Sequence, residues 1–106
     1  MIRQVTVEDL ADAVDNGQVV VVDVRDPAEY AQGHPPSAIN IPLDSIVERC
    51  TELDWDTPVY LVSGGHSRAM EAAGALDQGV YQARPADGGT YGWITGGRAV
   101  ESSADD

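Results

Sequence analysis

Ser63, Gly64, Gly65 and His66 stand between an apolar run, Val59 to Val62, and a stretch of good helix formers that opens near Ser67. A short glycine-bearing loop at such a joint turns backbone N–H groups toward one point at a helix N-terminus, where aligned peptide dipoles favour a negative guest. Anion binding is therefore the chemistry open to Val62, Ser63, Gly64, Gly65, His66 and Ser67. Ser63 brings a hydroxyl into the loop, but a serine nucleophile needs a positioned base, and His66 is badly placed for that in the same tight turn. Arg68, just past the loop, either adds positive charge to it or faces solvent. Asp23, Arg25 and Glu29 follow a second β-branched run, Val19 to Val22, and are expected to form an ion-paired network that holds the loops rather than to supply a catalytic acid. Cys50 is the single thiol of the chain. It shares a helical stripe with Ile46, Val47 and Leu53, which makes it a core residue. His34, between Gly33 and Pro35, is expected to be a turn residue bonded to backbone, since two histidines and one core cysteine make no metal site.

The elements that must position these residues can be taken in order. Arg3 to Val5 suits a short first strand. Thr6 and Asp9 form a capping box for a helix on which Leu10, Ala13 and Val14 recur at helical spacing, closed by Asn16 and Gly17. Val19 to Val22 is expected to be a central strand buried on both faces. Pro27 opens a brief helix through Tyr30 that Gly33 ends. Prolines at 35, 36 and 42 leave room only for a short strand over Ala38 to Ile41, nearer the sheet edge. Asp44 or Ser45 caps a helix carrying Ile46, Val47, Cys50 and Leu53. Val59 to Val62 is another buried strand, and a helix capped by His66 or Ser67 runs on to about residues 77 to 79. Val80 to Ala83 reads as the last strand; Gly88 and Gly89 as a tight turn; Trp93 as the packing residue of a final helix. Residues 101–106 read as an acidic, disordered tail after one domain over residues 1–100. Strands alternating with helices indicate an α/β sheet covered on both faces.

The chain has 106 residues, a formal net charge of −12, and six basic residues that are all Arg. That surface repels phosphate backbones and anionic lipid, which disfavours nucleic-acid and membrane roles. The absence of Lys also rules out the nucleotide-binding loop that ends Gly-Lys-Ser or Gly-Lys-Thr. No apolar run approaches the roughly 20 residues of a membrane span, and the expected location is cytoplasmic.

Several of these segments resemble the rhodanese (thiosulfate sulfurtransferase) family: Asp23-Val24-Arg25, Glu29-Tyr30, Gly33-His34, Ala38-Ile39-Asn40-Ile41-Pro42, and Gly88-Gly89 followed by Trp93. Where the family usually has Gly-His-Ile-Pro-Gly-Ala, this chain has Gly33-His34-Pro35-Pro36-Ser37-Ala38. The resemblance implies a five-stranded, mainly parallel sheet flanked by helices on both faces. In that family a six-residue loop opens with the nucleophilic Cys and usually ends Gly-x-Arg-Ser. Laid on this sequence, the pattern matches Ser63, Gly64, Gly65 and Ser67, and it puts Leu61 at the nucleophile and His66 at the arginine.

A leucine cannot carry sulfur as a persulfide. The resulting expectation is a rhodanese-homology domain without sulfurtransferase activity, a binding or regulatory module whose loop takes a small oxyanion (thiosulfate, sulfate or phosphate) or a protein partner, and which calls for no cofactor. The alternative is an active sulfurtransferase that uses Cys50 or a partner's thiol. A third reading is acyl or phosphoryl transfer by Ser63 and His66.

Overall fold

β1 (Val20–Asp23) and β3 (Val59–Val62) lie side by side at the centre of a parallel sheet, with β2 (Ile39–Asn40) outside β1 and β4 (Ala83–Pro85) outside β3. The coordinates are a computed structural model that describes residues 4–17, 19–53, 56–64, 67–77, 81–98 and 100–102. Strand alternation divides the core into two layers. Val22, Val59 and Leu61 face α3 (Ile46–Arg49) and α4 (Ser67–Asp77), where Ile46, Ala69, Ala72, Ala73 and Leu76 close the layer. Val21, Tyr60 and Val62 face the other way, onto Leu10 and Ala11 of α1 (Val7–Asn16) and Trp93 of α5 (Gly89–Thr95). Helices thus cover both faces, and β3 is buried along its whole length. No helix of the described residues is long and apolar enough to cross a membrane.

Local signals explain where the elements begin. Thr6 Oγ1 accepts the Asp9 N–H at 3.0 Å while the Asp9 carboxylate accepts the Thr6 N–H at 3.0 Å, so two orphan helix donors are satisfied by one reciprocal box. Gly17, at φ 70°, closes α1 in the left-handed region. Pro27 is the first residue of α2 (Pro27–Gln32), and Gly33 ends it.

Four paired strands replace the expected five. Val5 makes only an isolated parallel bridge to Ala86, bonding Pro85 O through its N–H at 3.0 Å, and Arg3 lies outside the described residues. Thr6 already caps α1, so the chain turns into a helix before a strand can lengthen. The last strand sits later than expected, at Ala83–Pro85, with Val80 outside the described residues. The continuous helix expected after Asp44 or Ser45 is also broken: α3 has four residues and is flanked by 3-10 turns, Leu43–Ser45 and Cys50–Glu52. Ser45 makes no side-chain cap bond, and Val47, expected on the apolar stripe, is 69 % exposed.

The C-terminal end differs as well. Glu101, expected to begin a disordered tail, forms an antiparallel bridge with His34, with mutual backbone bonds of 3.0 and 2.9 Å. Its carboxylate accepts the Ser37 N–H at 2.8 Å, and the Ser102 hydroxyl donates to Ala31 O at 2.7 Å. Residues 103–106 lie outside the described residues. Ser37 is the one described non-glycine residue with positive φ, at 68°. An L side chain there costs about 1–2 kcal/mol against glycine, partly offset by the greater freedom glycine loses on folding. Ser37→Gly is therefore expected to stabilise the protein by about 0.5–1 kcal/mol, read as a higher urea midpoint at unchanged slope.

Candidate functional site

β1 and β3 run parallel, so their carboxyl ends deliver Asp23 and Ser63 to the same edge of the sheet, with Asp23 opposite Val62 in register. Asp23 has no exposure and Arg25 very little. The pair is fully engaged: Arg25 Nε lies 3.0 Å from both carboxylate oxygens, Arg25 Nη2 lies 2.8 Å from Oδ2, and the Arg25 N–H donates to Oδ1 at 3.0 Å. Arg25 Nη2 also donates to Gly33 O at 2.7 Å, tying β1 to the end of α2. The Thr90 hydroxyl donates to Asp23 Oδ2 at 3.3 Å, and the Thr90 N–H donates to Ser63 O at 2.8 Å. A buried ion pair thereby holds the residue that follows β3.

Ser63 is itself buried, and its Oγ accepts the Ala69 N–H at 3.3 Å. Ala69 is the third residue of α4, so Ser63 satisfies one of the donors that every helix start leaves open. Neither capping residue expected from the sequence accounts for this bond: Ser67 is the first helical residue, and His66 lies outside the described residues, as does Gly65. Gly64 sits under two side chains, because a Cβ built there would lie 3.0 Å from Tyr91 Cε2 and 3.5 Å from Arg68 Nη2. A larger residue at this position would require the Tyr91 ring to give way by a few tenths of an ångström.

Arg68 is ion-paired and partly exposed. Its Nη1 and Nη2 meet Glu29 Oε1 and Oε2 at 3.0 and 3.3 Å, and both side chains are about one-third exposed (35 % and 34 %). The bond from Arg68 holds the Glu29 carboxyl below its ordinary value of 4.5, and the same bond raises the Arg68 guanidinium. The network expected of Asp23, Arg25 and Glu29 is thus two separate pairs, Asp23–Arg25 within the sheet edge and Glu29–Arg68 across to α4. Arg25, Glu29, Gln32, Gly33, Tyr91 and Ile94 line a cleft of about 170 Å³ beside the loop.

Leu61 does not face this cleft. It lies inside β3, opposite Val22 and Pro85, with no exposure, in the core layer that α4 closes. Its carbonyl accepts the Ala86 N–H at 2.9 Å. Leu61 thus occupies the interior of a four-residue buried strand, packed in the core layer rather than lining the cleft. Val62 likewise belongs to the strand, and it packs toward Trp93.

Cys50 is half-buried in its 3-10 turn, with Sγ 3.1 Å from Val47 O, and it packs against the core layer of α3 and α4. Its carbonyl accepts the Tyr81 hydroxyl at 2.8 Å. Tyr81 leads into β4, which marks the amino ends of the parallel strands, so the thiol sits at the opposite end of the sheet from Ser63. His34 behaves as expected, with Nδ1 2.7 Å from Tyr30 O and its ring stacked on Tyr30 at 3.7 Å. The Tyr30 hydroxyl donates to Ala38 O. Burial, and Asp23 nearby, push the Tyr30 phenol above its usual value. Trp93 is buried in the α1–α5 layer, and Trp55 lies outside the described residues.

Comparison with known proteins adds a family and a set of folds. Residues 6–95 match the family described as Rhodanese-like domain. A Bacillus halodurans protein superposes with a TM-score of 0.87 at 28% identity, over 95% of this chain and 77% of its own. A rhodanese-related protein of Thermoplasma volcanium gives 0.87 at 27%, over 93% and 97%. Within a Bacillus anthracis protein named CoADR-RHD, a region of 18% of that chain matches 94% of this one at 32% identity and a TM-score of 0.84.

Proposed function

Because this chain belongs to the family of rhodanese-like domains, we propose that it is a member without sulfurtransferase activity of its own, a binding module whose loop takes a small oxyanion or an acidic or thiol group of a protein partner. Thiosulfate, sulfate and phosphate are the oxyanions of suitable size and charge. The observation that carries the reading is the residue with which the loop opens. Counted from the end of β3, Ser63 to Arg68 has the length of the family's loop, with Ser63 at its nucleophile position and Arg68, rather than His66, at its closing arginine. The register that puts Leu61 at the nucleophile would need a buried strand residue to serve as loop.

Either register leaves the position without a thiol. Sulfur transfer requires a thiolate that attacks the outer sulfur of thiosulfate, releases sulfite with the electron pair of the broken S–S bond, and holds the sulfur as a persulfide. A serine hydroxyl offers no persulfide, and the Ser63 oxygen is already bonded to the start of α4. Cys50, at the other end of the strands, is the C-cap of α3, the helix end whose dipole disfavours a thiolate.

What remains supports anion binding. The eleven-residue α4 presents its N-terminus to the loop, and the Arg68 guanidinium lies against Gly64. Two further carboxylates, Asp23 and Glu29, stand close by, so affinity for sulfate or phosphate is expected to be about millimolar. In a cyanide and thiosulfate assay the purified chain is expected to give no thiocyanate above buffer. Turnover that scales with protein concentration would overturn the proposal.

A further inference from the structure

We propose that Glu29 sets the charge selectivity of the loop: a carboxylate already seated on Arg68 favours singly charged anions over dianions. The inference rests on the anion-binding reading above and gives it a substrate class. Glu29 and Arg68 meet fork to fork, through two bonds of 3.0 and 3.3 Å. The guanidinium they share is also the one that lies against Gly64, at the mouth of the loop. Both side chains are about one-third exposed, so a solute reaches the pair without unfolding anything.

The second arginine at this edge offers no compensation, since Arg25 is buried in its own pair with Asp23. Asp26, exposed at the start of α2, adds another carboxylate on the same side. Both described arginines at this edge are thus matched by an internal anion. An entering anion feels the dipole of α4 and the donors of Arg68, but it also feels Glu29. Attraction and repulsion both scale with the anion's charge, so the charge on Glu29 costs a dianion about twice what it costs a monoanion at the same place, and it lowers the preference for dianions that Arg68 and the helix start alone would give.

Glu29→Gln removes the charge and keeps an oxygen in place to accept the Asp26 N–H, which Glu29 accepts at 3.3 Å. The pair is exposed enough that the variant is expected to fold. The experiment is a titration of wild type and Glu29→Gln with sulfate and, separately, nitrate, at about pH 7 and fixed ionic strength because screening would mimic the effect. The amide signals of Ser67 and Ala69 report occupancy. Sulfate is expected to bind the variant about tenfold more tightly, and nitrate about threefold, so the selectivity ratio moves toward the dianion. Equal gains for both anions, or weaker binding of both, would overturn the inference, because Glu29 would then only position Arg68. No response to either anion in either protein would overturn the anion-binding reading and this inference with it.

Discussion

Ser63→Cys is expected to turn this chain into a sulfurtransferase, with cyanide and thiosulfate turnover at least ~100-fold above wild type. The size follows from what a nucleophile contributes: removing one from a working site costs on the order of 10⁶ in rate. A site never tuned for the reaction should recover only part of that. The new thiol would replace an oxygen that accepts the Ala69 N–H at the start of α4, beside Arg68. Both favour the thiolate, lowering its pKa from about 8.5 toward neutrality. The thiolate would take the outer sulfur of thiosulfate and release sulfite; cyanide would then remove that sulfur as thiocyanate and restore the thiolate. Leu61→Cys is the matched control. Its side chain would lie in the fully buried core layer under α4, away from any solute, so turnover should stay at the buffer level. If Leu61→Cys turned over and Ser63→Cys did not, the loop would begin two residues earlier than the strand boundary indicates.

Arg25→Met carries the largest expected loss of stability, about 3–5 kcal/mol. Asp23 has no exposure, and Arg25 supplies its charge partner together with three of its side-chain contacts. Without Arg25 the carboxylate keeps, among the described residues, the backbone N–H of position 25 and the Thr90 hydroxyl. A carboxylate buried without its partner charge loses its hydration and gains nothing in exchange, so the loss falls on the folded state. Urea midpoints and slopes of both proteins at about pH 7 give the comparison. A deficit under about 1 kcal/mol at unchanged slope would mean that the pair contributes nothing beyond packing.

Much of the frame was legible in particular residues. Thr6 and Asp9 announce α1 because a capping box is a local, reciprocal hydrogen-bond pattern. Pro27 and Gly33 bracket α2 for equally local reasons. Val19 to Val22 and Val59 to Val62 read as central strands because only a sheet covered on both faces buries so unbroken a run. The loop register was not legible from motif letters alone. Ser63, Gly64, Gly65 and Ser67 match Gly-x-Arg-Ser when the frame is slid two residues, which puts Leu61 in a strand and in a pocket at once. The register proposed above, counted from the end of the apolar run, avoids that conflict and puts Arg68 at the loop's closing position. The Glu29–Arg68 pair was hidden for a different reason. Its partners are 39 residues apart, and only the parallel arrangement of β1 and β3 brings their following helices together.

The intact mass of the wild-type chain after incubation with thiosulfate bears most directly on the account. An unchanged mass is predicted, because Ser63 cannot hold a sulfur and Cys50 lies at the far end of the strands. One added sulfur that disappears in Cys50→Ser would contradict it and make the single thiol the working nucleophile.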